Sequence, residues 1–196
     1  MAETGLLSIH GRELTIPLIQ GGMGVGVSLE RLSGAVASCG GMGCISTADC
    51  GYREADFFRH PEEANLRALR KEIREARERS GGRGLLAVNA MVATQQYDRA
   101  VRSAVEAGID AVISGAGLPL NLPELVEEGS ALIAPIVSSG RAAALISKVW
   151  EQKYGRRADF MQSAGQRACS FSDIPASKKK SSSPGAAGSW RKSFRR

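Results

Sequence analysis

The stretch LLAVNAMVATQQYDRAVRSAVEAGIDAVISG, residues 85–115, contains the pattern that decides the fold. It opens with an apolar run (85–91), continues into a segment with apolar residues at helical spacing, and closes on a second apolar run (111–115). Short apolar runs without polar alternation are typical of strands that are buried on both faces of a parallel sheet. The stretch therefore predicts one strand–helix–strand unit.

The same unit repeats along the chain on both sides of this stretch. The candidate strands are short and apolar: 16–20, 43–46, 85–91, 111–115 and 132–137, with a sixth expected to begin at 158–160. The candidate helices are amphipathic: 29–38, 62–79, 97–107, 122–128 and 141–154. In the last of them we expect Leu145, Ile146 and Val149 to face inward. Strict alternation of strands and helices predicts an α/β fold with a parallel sheet, either open or closed into a barrel.

Charge divides the chain into a near-neutral body and a basic tail. Residues 161–196 hold eight of the 26 Lys and Arg residues and one of the 20 acidic residues, which leaves 18 basic and 19 acidic residues in the first 160 positions. The net charge of +6 therefore belongs to the tail and does not indicate that the body binds nucleic acid. The Ser- and Lys-rich composition of the tail predicts disorder. We divide the chain into a domain at 1–160 and a tail at 161–196.

The cysteines and the apolar runs indicate the compartment. Cys39, Cys44, Cys50 and Cys169 have no C-x-x-C spacing and no neighbouring histidine, so neither a metal site nor a redox pair is predicted. No apolar run approaches the roughly 20 residues of a membrane span, and the polar N-terminus is unlike a secretory leader. We therefore expect a cytoplasmic protein that has reduced thiols and no membrane contact.

The residues that follow the predicted strands are the candidate binding residues, because parallel α/β folds bind ligands at the carboxyl ends of their strands. These positions are rich in glycine and small residues, which let a backbone approach a flat ring or a phosphate. The run GGMGVG at 21–26 lacks the third glycine of a G-x-G-x-x-G fingerprint. A dinucleotide site of that type is therefore not predicted.

Five strings at these strand ends resemble, in order and spacing, the nitronate monooxygenases and the related flavin-dependent enoyl-acyl-carrier-protein reductases. They are IPLIQGGMGVGVS (16–28), GGMGCIS (40–46), AVNAMVA (87–93), ISGAGLPL (113–120) and PIVSSGRAA (135–143). The resemblance covers residues 8–160. It implies a (β/α)8 TIM barrel that binds FMN, and this chain holds about five to six of the βα units, an incomplete barrel. The implied reaction is the oxidation of alkyl nitronates with O2.

The resemblance also implies which residues bind the cofactor: Gln20, Gly21, Gly22, Met23, Asn89, Ser114, Gly115 and Ser138. The first four would lie against the isoalloxazine, Asn89 would hydrogen-bond its pyrimidine edge, and the last three would line the same mouth. The residues alone leave other interpretations open. The glycine run fits a tight turn, Asn89 fits a satisfied buried amide, and Ser139 fits a helix cap.

After residue 160 the chain departs from the family pattern. The family continues with a G-P-x-A-G-G-H-L-G loop whose histidine is implied to be the general base, whereas this chain reads MQSAGQRACSFSD at 161–173. Its only histidines, His10 and His60, lie outside the matched motifs, so no catalytic residue is assigned. We interpret the tail as the product of a frameshift or a truncated gene, a hypothesis that resequencing with the same frame intact would overturn.

Three functional hypotheses follow. The first is an FMN-dependent nitronate monooxygenase whose activity is impaired by the missing part of the barrel. The second is a flavin- and nicotinamide-dependent enoyl-acyl-carrier-protein reductase, which NADH or NADPH oxidation driven by an enoyl thioester would reveal. The third is an inactive fragment, because a partial barrel has open sheet edges. Such edges favour marginal stability, aggregation or coverage by a homo-oligomer.

Overall fold

The computed structural model describes residues 7–163 and 168–170. In chain order the described elements are β1 (Leu7–Ile9), β2 (Arg12–Leu14), α1 (Glu30–Ser38), β3 (Met42–Ser46), α2 (Pro61–Ser80), β4 (Leu85–Met91), α3 (Tyr97–Glu106), β5 (Ala111–Gly115), α4 (Leu122–Leu125), β6 (Leu132–Val137), α5 (Gly140–Tyr154), β7 (Phe160–Ser163) and β8 (Ala168–Ser170). Strand β7 extends across residue 160, the predicted boundary between the domain and the tail. The tail from residue 171 onward lies outside the described residues.

Strands β3 to β7 form a parallel sheet in chain order, which confirms the predicted α/β architecture of a partial TIM barrel. Its register places Ser46 beside Asn89 and Asn89 beside Ile113. Strand β8 adds to β7 in the antiparallel direction, which the βα pattern does not predict. Within the described residues, no helix is long and apolar enough to cross a membrane.

Residues 16–20, predicted as the first strand, pair with β3 over one parallel bridge between Ile19 and Met42. The Met42 N–H donates to the Leu18 carbonyl at 2.8 Å, and the Gln20 N–H donates to the Met42 carbonyl at 2.9 Å. The backbone ladder stops there because the Gln20 side chain takes the next partner, Cys44: its Oε1 accepts the Cys44 N–H at 3.2 Å. The predicted strand is thus reduced to a short segment at the edge of β3.

The sheet separates two hydrophobic layers. Its outer face packs against the helices, and buried side chains from alternate strand positions build this layer: Ile45, Val88, Val112, Ile133 and Met161. Its inner face holds a second cluster: Met42, Cys44, Leu85, Ala87, Ala111, Ile113, Leu132, Ala134 and Phe160. This alternation assigns each strand residue to one of the two faces.

The β1–β2 hairpin, which the sequence analysis did not predict, closes the amino-terminal end of the inner layer. Its Ile9 and Leu14 are buried in the inner cluster. Two side-chain contacts fix it to the strands: the ion pair in which Arg12 Nη1 lies 3.2 Å from Asp110 Oδ1, and the contact in which His10 Nδ1 lies 2.6 Å from Asp159 Oδ1. Each carboxylate also accepts a backbone N–H from the preceding strand, at 2.8 Å in β4 and at 2.6 Å in β6. The hairpin therefore plugs the end of the sheet that is opposite to the candidate site.

The helices follow the predicted pattern with two corrections. Helix α4 ends at Leu125 rather than at 128, because the following acids oppose the negative end of the helix dipole. Leu145 of α5, expected to face inward, is 45% exposed, whereas Ile146 and Trp150 are buried. Within the described chain α5 is the last helix and packs on β6 and α4, so the side of the helix that carries Leu145 remains uncovered.

Candidate functional site

The carboxyl ends of the parallel strands and the loop at 21–28 meet at one end of the sheet. Because side chains alternate between the two faces, the inner face at this end carries residues two positions beyond the inner cluster. Ser46 follows Cys44 on β3, Asn89 follows Ala87 on β4, and Gly115 follows Ile113 on β5. A ring of small and polar groups therefore lines this mouth of the sheet, above an apolar interior.

The loop after residue 20 lies directly over Asn89. A Cβ added to Gly22 would lie 2.3 Å from Asn89 Cβ and 2.6 Å from its Nδ2, so only glycine fits at this position. Asn89 Nδ2 donates a hydrogen bond to the Gly22 carbonyl at 3.1 Å. Gly21, by contrast, has no heavy atom within 4 Å of its would-be Cβ. The loop thus presents bare backbone next to a fixed carboxamide.

The same loop exposes apolar side chains. Met23, Val25 and Val27 are 47%, 50% and 53% exposed, respectively. Apolar side chains at this exposure, grouped on one loop beside a polar mouth, are typical of a surface that a ligand covers. Gly24 and Gly26, which alternate with them, keep the backbone close to the segment that follows β3, since a Cβ on Gly24 would lie 2.9 Å from Ala48 Cβ and one on Gly26 would lie 2.4 Å from the Tyr52 hydroxyl.

Gln20 lies beneath this loop rather than on its surface. Its side chain is buried, and its Nε2 donates to the Cys44 carbonyl and to Ser28 Oγ, both at 3.0 Å. Its Oε1 accepts the Cys44 N–H. Both ends of the carboxamide are therefore occupied by protein groups, and the structure places Gln20 behind the loop.

Thr47, next to the site, holds the backbone of Asn89 in place. Thr47 donates its N–H and its Oγ1 hydroxyl to the Asn89 carbonyl, each at 3.1 Å. The buried Ser46 Oγ accepts the Ala48 N–H at 3.3 Å. Thr47 was not among the predicted site residues. Its position directly after the strand that ends at Ser46 is the sequence signal that could have found it.

The remaining candidates divide between the two faces of the sheet. Ser114 is fully buried on the outer face, where its Oγ lies 2.9 Å from the Tyr97 hydroxyl, and burial raises the pKa of Tyr97 to about 12. The structure does not bring the Ser114 side chain to the mouth. Gly115 lies on the inner face, where a Cβ would lie 2.8 Å from Ile136 Cδ1. Ser138 is exposed beyond β6, and the neighbouring Ser139 caps α5 by accepting the Ala142 N–H.

No described hydrogen bond or ion pair joins either histidine to Asn89 or to the loop at 21–28. His10 pairs with Asp159 at the opposite end of the sheet, and His60 is exposed at the start of α2. Among the described residues, no group of three His, Cys, Asp or Glu residues suits a metal ion. The groups that face the mouth are thus amides, hydroxyls and bare backbone.

These groups fit the ring system of a flavin. A flat ring needs close backbone approach, an apolar cover and amide hydrogen bonds at its edge. The loop at 21–27 supplies the first two, and Asn89 supplies an amide whose orientation the Gly22 carbonyl fixes. Asn89, Gly115 and the loop are the residues that would hold the ring. We assign no contact to a cofactor phosphate among residues 7–163.

Comparisons with known proteins agree with this fold. The family model described as nitronate monooxygenase matches residues 7–173. FabK from Thermotoga maritima matches with a TM-score of 0.56 at 24% identity, over 68% of this chain and 37% of that chain. A point mutant of that protein matches with a TM-score of 0.52 at 25% identity, over 68% and 39%. The chain therefore spans less than half the length of these structures. Comparison with curated proteins gives no match.

Proposed function

We propose that this chain, which belongs to the nitronate monooxygenase family, binds FMN at the mouth of its sheet and acts in the oxidation of alkyl nitronates by O2. The observation that carries the proposal is the contact between Gly22 and Asn89, where a Cβ would overlap the carboxamide. This contact leaves bare backbone beside a fixed amide, an arrangement that suits a flat heterocycle.

The residues of the mouth have separate roles in this proposal. Gly21 and Gly22 give the ring access to the backbone, and Met23 covers its face. Asn89 binds its polar edge through Oδ1 and the second Nδ2 proton, since one Nδ2 proton is held by the Gly22 carbonyl. Gly115 makes room for the Ile136 side chain on the inner face, and Ser138 lies at the rim. The flavin, when bound, supplies the electron-accepting chemistry that amides and hydroxyls lack.

The substrate that this mouth serves is the nitronate anion rather than the neutral nitroalkane. A nitronate is already deprotonated at its α-carbon, so its oxidation needs no general base. A neutral nitroalkane must first lose that proton. His10 pairs with Asp159 at the opposite end of the sheet, and His60 is exposed before α2 with no described hydrogen bond to the residues of the mouth. We therefore expect turnover with preformed nitronate and none above background with the nitroalkane at neutral pH.

The test begins with the cofactor. The purified chain is mixed with excess FMN and desalted, and its visible spectrum gives the flavin-to-protein ratio. A ratio near one, followed by O2 uptake with propyl-2-nitronate and without nicotinamide, supports the proposal. Retained flavin with NADH or NADPH oxidation driven by an enoyl thioester supports the reductase reaction instead. A colourless, folded protein contradicts both and favours the inactive fragment.

A further inference from the structure

Ser28, at the end of the loop, is a buried hydrogen-bond centre. It is 0% exposed. Its Oγ accepts the Met23 N–H at 2.9 Å and the Gln20 Nε2–H at 3.0 Å, and it donates to the Gly21 carbonyl at 3.2 Å. A hydroxyl has one proton and two lone pairs, so its hydrogen-bonding capacity is fully used. One side chain thus ties the start of the loop, its middle and the strand before it.

The backbone of Ser28 adds to this connection. Its N–H donates to the Met23 carbonyl at 3.0 Å, and its carbonyl accepts the Ser46 N–H at 2.9 Å. Met23 is therefore bonded at both its N–H and its C=O to one residue. The loop closes on itself through Ser28 and is fixed at the same time to the end of β3.

Gln20 anchors the other end of this arrangement. Its carboxamide pairs with both the N–H and the C=O of Cys44, as a backbone neighbour in a ladder would. Its Nε2 also reaches Ser28 Oγ. Gln20 therefore links the buried strand β3 to Ser28, and we call this pair of residues the clasp.

We infer that the clasp, Gln20 and Ser28, consists of positioning residues that hold the loop at 21–27 in the conformation that receives the flavin ring. This inference rests on the proposed function and adds residues that act on the site without touching the ligand. Ser28 has no exposed surface, and both ends of the Gln20 carboxamide are occupied by protein groups.

The physical reason is the entropy of the loop. Four of the seven residues from 21 to 27 are glycine, and such a segment has many conformations when it is free. Ordering it at the moment of binding would weaken affinity, whereas a loop that is ordered beforehand avoids that loss. The clasp supplies the order from inside the protein.

The test compares Ser28→Ala with Ser33→Ala. Ser33 is also 0% exposed, but its Oγ bonds only to the Leu29 carbonyl of its own helix region, so it controls for the loss of a buried hydroxyl. Ser28→Cys is nearly isosteric and makes weaker hydrogen bonds, so we expect an intermediate effect and a usable variant if Ser28→Ala fails to fold. Riboflavin is the probe, because it carries the ring without a phosphate.

Two measurements test the role of the clasp separately from the proposed function. Amide hydrogen exchange without ligand should show faster exchange of the Met23 N–H in Ser28→Ala, with the amides of β3 unchanged. Titration with riboflavin, followed by flavin fluorescence, should show dissociation constants raised about tenfold in Ser28→Ala, which equals ~1.4 kcal/mol, and unchanged in Ser33→Ala.

Each of the other possible results contradicts either the clasp or the proposed flavin binding. If Met23 exchange is the same in wild type and Ser28→Ala, the clasp does not order the loop and the inference is wrong. If exchange changes and riboflavin affinity does not, the clasp orders the loop but does not position a flavin. If the wild-type chain binds neither riboflavin nor FMN, the proposed function fails as well, and the exchange data show whether the clasp exists without it.

Discussion

Replacing Gly22 with alanine should damage the mouth, because the space for a Cβ is already filled. The added atom would lie 2.3 Å from Asn89 Cβ, 2.6 Å from Nδ2 and 2.9 Å from Cγ. The nearest of these atoms is Asn89 Cβ, whose position is fixed by the backbone of β4, so a change of the Asn89 rotamer cannot remove the overlap. Overpacking of this kind costs about 1–3 kcal/mol, and the shift also breaks the Asn89–Gly22 hydrogen bond.

The adjacent Gly21→Ala is the matched control. Its Cβ would meet nothing within 4 Å, so we expect unchanged stability or a gain of about 0.4–1 kcal/mol from the lower entropy of the unfolded chain. Urea unfolding gives the free energies, and FMN titration gives the affinities. We expect Gly22→Ala to lower both quantities. Gly21→Ala should not lower the free energy of unfolding, but it should weaken FMN binding, because its Cβ would project into the open space from which the ring approaches the backbone. Equal free energies of unfolding for the two variants would refute the reasoning.

Two further predictions concern buried groups away from the loop. In a variant with Cys50 and Cys169 replaced by serine, the exposed Cys39 should react with a disulfide reagent in the folded protein. Cys44 should react only after unfolding, because burial raises the pKa of its thiol to about 12. Equal reaction rates of the two thiols in the folded protein would contradict this prediction. Burial raises the pKa of Glu72 to about 6, so the folded state binds its proton more tightly than the unfolded chain does. Wild type should therefore lose about 1 kcal/mol relative to Glu72→Gln as the pH rises from about 4.5 to 6, after allowance for solvent screening; parallel unfolding curves across that range would contradict it.

The parallel sheet could be predicted because its strands are short apolar runs between amphipathic helices. The runs at 85–91 and 111–115 match β4 and β5. The hairpin could not be predicted in the same way. Its three-residue strands have too few positions for a period of two to be seen. Its place depends on side-chain contacts with Asp110 and Asp159, which are 98 and 149 positions distant from Arg12 and His10.

The site could be predicted only to the level of strand ends. Strands buried on both faces have no polar alternation, so the sequence does not reveal which of two neighbours faces inward. Ser114 and Gly115 were both expected at the mouth, yet the alternation along β5 turns Ser114 toward Tyr97 in the helix layer. Gln20 shows a second limit, because a side chain that replaces a backbone ladder partner leaves no periodic signal.

The two ends of the sheet use different chemistry. At the amino-terminal end, Asp110 and Asp159 accept backbone N–H groups and hold the hairpin, and such charge-assisted bonds fix strand ends firmly. At the carboxyl end, Gly22 and the other glycines bring backbone close to polar side chains and leave apolar side chains exposed. A strand of five residues, at about 3.3 Å each, separates the two ends. The stability of the sheet can therefore rest on one end while the other keeps a surface for a ligand.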